Sequence, residues 1–447
     1  NVFKLKPGHL LRVSLSKRSP VIEQYWSFIK IAKSSITSKF YETENNVVNK
    51  LESLLKSVIK QKMAADVPVG AFLSGGVDSS IITAIMQSQS NTPINTFTVG
   101  FNEEIYNEAM HAKTIANHLG TKHTELYITP QQALEVIPNL PSLYCEPFAD
   151  SSQIPTFLLS RLAREKVKVA LSGDAGDELF GGYNRYALTK EFWGKLSNVP
   201  FWARSFLSSA ITSLSPNAWN NVGKSILSLA PKSLQLNNIG EKIHKAAKVM
   251  TSKQFDDLYL NLVTHCNPEE IVKEVYEQKI LLNYKQSDFT LFDDVQKMMI
   301  LDTMTYLPDD ILVKLDRASM AVSLESRIPF LDHRVVDFAW RIPQSMKINK
   351  GISKWILKEI LYKHVPKKLL ERPKMGFAIP IDSWLRGPLR DWAESLLDEN
   401  RLKQDGFFHS KPVRNKWQEH LSGRKNWQHF LWNILMFQSW LEKEQLP

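Results

Sequence analysis

Residues 71–80 read Ala71-Phe72-Leu73-Ser74-Gly75-Gly76-Val77-Asp78-Ser79-Ser80, an apolar strand that runs straight into a turn of hydroxyls and glycines and then into a helix. The unit heads a stretch, from Val67 to about Arg185, in which short apolar runs alternate with amphipathic ones. Strands are expected at Val67–Leu73, Ile94–Phe101, His123–Ile128 and Val167–Leu171. Helices are expected at Ser79–Gln89, Asn107–Leu119, Pro130–Leu140 and Ile154–Arg164. Such alternation predicts an α/β fold, a parallel sheet wrapped by helices. Ligands bind such sheets beyond the carboxyl ends of the strands, which directs attention to the loops at Ser74 and Ser172.

The first loop is built as an anion cradle. Gly75 and Gly76 let backbone N–H groups approach a phosphate, Ser74, Ser79 and Ser80 add donors, and the helix N-terminus adds its dipole. Asp78 makes sense in such a place only beside a cation, which points to Mg²⁺ between it and phosphate oxygens. The second loop, Val169-Ala170-Leu171-Ser172-Gly173-Asp174-Ala175-Gly176-Asp177-Glu178, repeats the logic and continues as Phe180-Gly181-Gly182-Tyr183. Three acids within five residues repel one another unless a metal or a cationic partner joins them. Two cradles at neighbouring strand ends make a nucleotide site. A third glycine stretch, Ala218 to Ser225 with Gly223-Lys224-Ser225, satisfies a relaxed phosphate-loop pattern but lacks the buried strand such a loop needs, and reads as a helix start.

Beyond Tyr186 strand patterns largely vanish and helical periodicity runs to residue 447, broken at Pro200, Pro216, Pro231 and Pro308. Trp417, Trp427, Trp432 and Trp440 are expected to pack between helices. The first residues suggest a β-hairpin, Val2–Lys6 against His9–Ser14 around Pro7-Gly8. A chain that opens on Asn1 is expected to be a fragment or a processed product. The formal charge of +10 is spread over 447 residues without a basic block, which argues against a nucleic-acid partner. Cys145 and Cys266 offer neither a disulfide framework nor a zinc site, and no apolar run is long enough to span a bilayer. Together these predict a cytoplasmic protein with no membrane partner.

The stretch Ser74 to Ser80 resembles the pyrophosphate-binding loop of ATP pyrophosphatases. With Glu146-Pro147-Phe148-Ala149-Asp150-Ser151-Ser152, Leu171 to Tyr186, Leu307-Pro308-Asp309-Asp310 through Asp332, and Arg372-Pro373-Lys374-Met375-Gly376-Phe377 with Trp384, the chain resembles the synthetase part of glutamine-dependent asparagine synthetases. The resemblance implies an adenine nucleotide alpha hydrolase-like fold followed by a largely α-helical half. It divides the chain into a remnant of a glutaminase domain (1–30), a nucleotide-binding region (41–190) and a helical part (191–447). The glutaminase domain itself, whose nucleophile is an N-terminal cysteine, is expected to be missing apart from its tail, so ammonia would reach this chain from outside it.

The chemistry implied is ATP-dependent amide formation. A carboxylate, L-aspartate or another acceptor, attacks the α-phosphate of ATP, and ammonia then displaces AMP. By the same resemblance Leu73 and Val99 give backbone contacts to the base, Ser172 and Gly173 hold the nucleotide, and Asp78 and Asp177 bind Mg²⁺–pyrophosphate. Lys374 neutralises charge growing on the phosphates, while Asp174 stands where asparagine synthetases commonly carry Glu. Lys314 and Arg317, three apart on one helix face, suit the triphosphate. Met320, Leu324 and Phe330 are expected in the core, and Glu325 and Asp332 either pair with Arg327 and Arg334 or meet substrate. Alternatives are amidation of another carboxylate such as a polysaccharide uronic acid, a cyclising enzyme that needs no ammonia, and a non-catalytic nucleotide-binding regulatory module. Pairing into a homodimer is left open.

Overall fold

The computed structural model describes residues 3–16, 19–101, 108–189, 193–196, 198–215, 218–220, 239–264, 266–274, 289–370 and 379–444. They form two compact units, each assembled from three separate segments of chain. The first comprises Asn1–Tyr127, Thr156–Ala187 and Tyr284–Gly376.

Its centre is a parallel five-stranded sheet flanked by helices, as the alternation predicted. Two short strands come first in the chain, β1 (His9–Arg12) and β2 (Val21–Gln24). The sheet strands are β3 (Val69–Phe72), β4 (Asn95–Phe101), β5 (Lys122–Ile128), β6 (Val169–Leu171) and β7 (Glu325–Arg327), in the order β5-β4-β3-β6-β7. From β3 the chain winds outward first through β4 to β5 and later, on the other side, through β6 to β7. The order reverses between β3 and β6, where loops leaving adjacent strands diverge and open a crevice. The serine-glycine loops follow these two strands.

β7 departs from the expectation that strands vanish after Tyr186. Three residues, Glu325, Ser326 and Arg327, are too few to display alternation, yet they pair in parallel with Val169, Ala170 and Leu171. The Arg327 carbonyl accepts the Ser172 N–H at 2.9 Å, so the added strand fixes the start of the second loop. The N-terminal hairpin also differs. β1 pairs with β2, not with residues before Pro7. Gly8, at φ +73°, is close against Trp26, and its carbonyl accepts the N–H groups of Tyr25 and Trp26, which turns the chain toward the later partner. The helix expected over Pro130–Leu140 breaks into Pro130–Val136, a 3₁₀ turn and Leu140–Tyr144, because Pro138 and Pro141 lack the N–H a continuous helix needs.

Apolar residues at helical spacing on two helices that pack together build the core beside the sheet. Leu51, Leu55, Val58 and Ile59 of helix Glu44–Met63, and Ile81, Ile82, Ile85 and Met86 of helix Val77–Ser88, are buried with Phe97 and Phe101 of β4. Leu324 and Phe330 are in this core, but Met320 is 57% exposed, at the solvent-facing end of helix Leu312–Met320.

The second unit is Ile128–Pro155, Leu188–Asn283 and Phe377–Pro447. Helices dominate it, and Trp417 and Trp432 are fully buried among them, as expected for packing residues. Among the described residues no helix is long and apolar enough to cross a membrane.

Lys347 is a buried cation in the first unit. It is 2% exposed, and its ammonium lies 4.8 Å from the centroid of the Trp340 ring. Burial pulls its pKa down from the usual lysine value to about 7, against a pull upward from Asp293. Between about 7 and the unfolded value near 10.5 the folded chain binds fewer protons than the unfolded one. Stability therefore rises with pH across that window and levels off at its lower value below about 7, where the buried amine is charged as well. Lys347→Met should raise stability at pH 7 by about 1–3 kcal/mol and flatten the rise toward about pH 9, measured by urea unfolding at the two pH values.

Candidate active site

The first loop leaves β3 with the Leu73 N–H bonded to the Phe97 carbonyl of β4 at 2.9 Å. Gly75 then takes φ +75°, and a Cβ there would meet the Ala112 backbone nitrogen at 3.0 Å, so the tight turn requires glycine. Within the turn the Ser74 and Ser79 hydroxyls lie 3.0 Å apart, and the Ser79 hydroxyl accepts the Ser74 N–H at 3.1 Å. Helix Val77–Ser88 begins after Gly76 without a side-chain cap, which leaves its N-terminus as a positive dipole end facing the turn.

The second loop is pressed against the first. A Cβ on Gly173 would come within 2.7 Å of the Asp78 carbonyl carbon and the Ser79 nitrogen, and one on Gly176 within 2.5 Å of the Asp78 carboxylate. Both glycines exist so that the backbones can touch. Between them Ala175 adopts φ +70°, a conformation L-residues seldom take, which turns the chain sharply into helix Gly176–Phe180. Asp174 is half-buried beside Ser172, whose hydroxyl donates to its carboxylate. Burial pushes the Asp174 carboxyl above its usual range, while the Ser172 hydrogen bond and the Lys314 charge pull it back.

Asp78 and Asp177, one from each loop, converge on the ammonium of Lys354. Lys354 pairs with Asp78 and, at 2.7 Å, with Asp177; its side chain is only 7% exposed. The two carboxylates hold its pKa well above the ordinary lysine value although burial opposes them. Lys354 itself sits at φ +53°, immediately before helix Trp355–Leu361, and a Cβ on Gly182 would collide with both Asp177 and Lys354. Four residues on, Lys358 has its pKa lowered by burial and by the Lys354 charge, against the pull of Asp78. The first helical turn thus brings a second cation to the same place.

Behind the loop the return through Gly181-Gly182 is anchored by a polar cluster. The Tyr183 hydroxyl donates to Glu178 at 2.5 Å, and burial raises the Glu178 carboxyl to about 7. Arg185 lies 4.0 Å over the Tyr183 ring and pairs with buried Asp302 at 2.7 Å, which also accepts the Tyr186 hydroxyl at 2.5 Å. Asp302 needs the arginine, because an unpaired charge at zero exposure would cost several kcal/mol.

The fold therefore brings Ser74, Gly75, Gly76, Asp78 and Ser79 against Ser172, Gly173, Asp174 and Asp177. Ser80 is fully buried. Leu73 and Val99 are buried on adjoining strands. Lys314 is half-buried and its charge is felt at Asp174, whereas exposed Arg317 makes no hydrogen bond or ion pair to either loop among the described residues. Glu325 and Asp332 pair with Arg327 at 2.7 Å and Arg334 at 2.8 Å, the structural alternative for these acids. Lys374 lies outside the described residues, as does most of the Ala218–Ser225 stretch. Lys354 and Lys358 were not singled out in the sequence; their signal is a Lys-x-x-x-Lys spacing, placed far downstream of either acidic partner.

Two carboxylates aimed at one cationic point form an all-oxygen donor pair, the kind that suits a hard divalent ion completing its shell with phosphate oxygens and water. Among the described residues no third His, Cys, Asp or Glu joins them to make a metal cage. Removing the lysine would leave two like charges facing each other. Lys354→Met should destabilise the metal-free protein by about 3–5 kcal/mol, and adding Asp177→Asn should recover part of the loss, both read from urea unfolding.

The family described as asparagine synthase matches residues 50–442 of this chain. A glutamine-hydrolysing asparagine synthetase 1 of Bacillus subtilis is 30% identical over 408 residues, 90% of this chain and 61% of that protein. A putative glutamine-hydrolysing asparagine synthetase of Mycobacterium tuberculosis strain H37Rv is 31% identical over 442 residues, 98% of this chain and 64% of its own length. The amidase chyE of Penicillium rubens is 24% identical over 444 residues, 91% of this chain and 62% of that protein. The chain spans less than two thirds of the length of these relatives.

Proposed function

For a chain that belongs to the asparagine synthase family, we propose ATP-dependent amide formation in which L-aspartate is adenylated on its side-chain carboxylate and ammonia then displaces AMP. The observation that carries this reading is the meeting of two serine-glycine loops at the reversal of strand order, each contributing one carboxylate to a shared cation. A nucleotide triphosphate has the charge and the length to lie along such a crevice, its phosphates on the loop N–H groups and the helix dipole. Asp78 and Asp177 would hold Mg²⁺ there, and the ion would supply Lewis-acid polarisation of the phosphates when bound.

Each reacting partner has a group suited to it. The Ser74 turn presents N–H and hydroxyl donors to the departing pyrophosphate, where negative charge accumulates as the α-phosphate is transferred. Lys354 and Lys358 add positive charge at the same end. Lys374 is proposed to neutralise charge during adenylation and amide formation. Asp174, half-buried and held by Ser172, is proposed to face the acceptor. Its side chain is one methylene shorter than the Glu usual in asparagine synthetases, which supports a second reading, amidation of another carboxylate such as a uronic acid. The amidase among the relatives is compatible with a family that serves several acceptors.

Pyrophosphate release from Mg-ATP and ammonium, with and without L-aspartate, tests the assignment while asparagine is followed by mass spectrometry. Aspartate-dependent pyrophosphate with matching asparagine is expected; ATP binding without either product would overturn the aspartate reading and send the search to uronic acids. Ammonia-independent turnover would identify a cyclising enzyme, and tight ATP binding with no turnover on any acceptor would identify a regulatory module. Lys374→Ala should leave ATP affinity within severalfold and slow adenylation on the order of a hundredfold, separable by binding and single-turnover measurements. Asp174→Glu should speed aspartate use relative to other acceptors if the shorter acid sets acceptor choice, as read from kcat/KM ratios.

A further inference from the structure

Lys354 has a fixed backbone and a movable charge. The antiparallel pair β8 (Ile348–Asn349) and β9 (Ile352–Ser353) turns at Lys350 and Gly351, both with positive φ, and delivers the chain to Lys354. Directly after it, Ile356, Leu357, Ile360 and Leu361 of helix Trp355–Leu361 are buried, and that helix packs on helix Val77–Ser88, which carries Asp78. The Lys354 backbone is thus clamped on both sides. Its ammonium, however, ends a flexible four-carbon stem and can be aimed afresh while the backbone stays in place. The lysine side chain is 7% exposed, whereas Asp78 and Asp177 keep 18% and 22%, so both carboxylates have an edge open to what enters the crevice.

Charge decides which guest is admitted. The formal charges of Asp78, Asp177, Lys354 and Lys358 cancel, and Lys358 is half-buried, near enough to feel both Lys354 and Asp78. A free divalent ion entering this balanced group meets an ammonium already seated at the two carboxylates, with the positive end of helix Val77–Ser88 beside them. While the ammonium stays, two cations compete for one pair of acids. If it leaves alone, a buried charge loses both its partners, which is strongly unfavourable. A polyphosphate removes the conflict. Its oxygens complete the shell of the ion and also receive the displaced ammonium, which binds phosphate as a point charge.

We infer that Lys354 is a placeholder cation: it keeps the Asp78–Asp177 pair closed to a free divalent ion and yields that pair only to an ion arriving with a polyphosphate, onto which the ammonium then turns. The inference rests on the nucleotide reading of this crevice and adds a coupling to it. Ion and phosphates enter together, each raising the affinity of the protein for the other.

Titration with Mn²⁺, the free ion followed by its electron paramagnetic resonance signal, tests the inference with no acceptor or ammonia present. Without phosphate the unsubstituted chain is expected to take up Mn²⁺ weakly, and Lys354→Met to take it up more tightly, on the order of tenfold or beyond. Adding Asp177→Asn to Lys354→Met should abolish the gain. Lys358→Met, which removes an equal charge but leaves the seated ammonium, should change uptake little. Thermal melts of the unsubstituted chain give a second reading that depends on no variant: Mn²⁺ alone should leave the melt unmoved, and Mn²⁺ with inorganic pyrophosphate should raise it above pyrophosphate alone. Tight uptake by the unsubstituted chain that Asp177→Asn removes, an equal gain in Lys358→Met, no gain in a folded Lys354→Met, or a melt that Mn²⁺ does not raise further in the presence of pyrophosphate would overturn the inference. Aspartate-dependent turnover beside any of these results leaves the proposed reaction standing, and its absence beside the expected Mn²⁺ results overturns the acceptor alone.

Discussion

The ion cluster of Asp78, Asp177 and Lys354 is the constraint around which the first unit is organised. Two carboxylates cannot be packed into one crevice of low polarity without a compensating charge, because their repulsion adds to the cost of desolvation. Lys354 supplies that charge from a residue held in the left-handed region, at the entry of a helix that packs on helix Val77–Ser88. The three residues come from three separate parts of the chain, and each is held by a glycine-rich or strained turn. Gly173 and Gly176 let the loops touch, and Gly182 leaves room for the lysine. The local backbone irregularities are thus consequences of one electrostatic arrangement.

The same arrangement bears on the polyphosphate and divalent ion proposed for the site. With the lysine between them, the two acids already share one cation, and the divalent ion proposed for this place would have to displace that ammonium from the pair. The loop N–H groups and the helix N-terminus face the same space, which balances acids that would otherwise repel an anion. The sheet contributes position. Because the order of strands reverses between β3 and β6, their loops diverge, and the crevice exists before any side chain is placed.

The helical unit follows a different economy. Its tryptophans fill the interior, as at Trp417 and Trp432, yet helix Phe201–Thr212 turns a tryptophan and a phenylalanine outward and an arginine inward. Arg204 is stable there because the backbone carbonyls of Val199 and Ser252 accept its donors, so the inversion incurs no unpaired buried charge.

Much of the first unit was legible in the chain itself. The loops announced themselves because glycine, serine and aspartate have local conformational and hydrogen-bonding preferences that spacing alone reveals, and four of the five sheet strands showed as apolar runs near their observed places. What the sequence could not display was long-range partnership. β7 is three residues with charged ends and becomes a strand only because β6 offers an edge. Pro7-Gly8 does mark a turn, but the partner of β1 lies after it, selected by contacts with Trp26. Lys354 is an ordinary lysine in sequence and becomes the centre of the site through its position in space. Local chemistry is written in neighbouring residues and can be read from them, whereas a burial, a strand pairing or an ion pair across hundreds of residues comes into being only when the chain has folded.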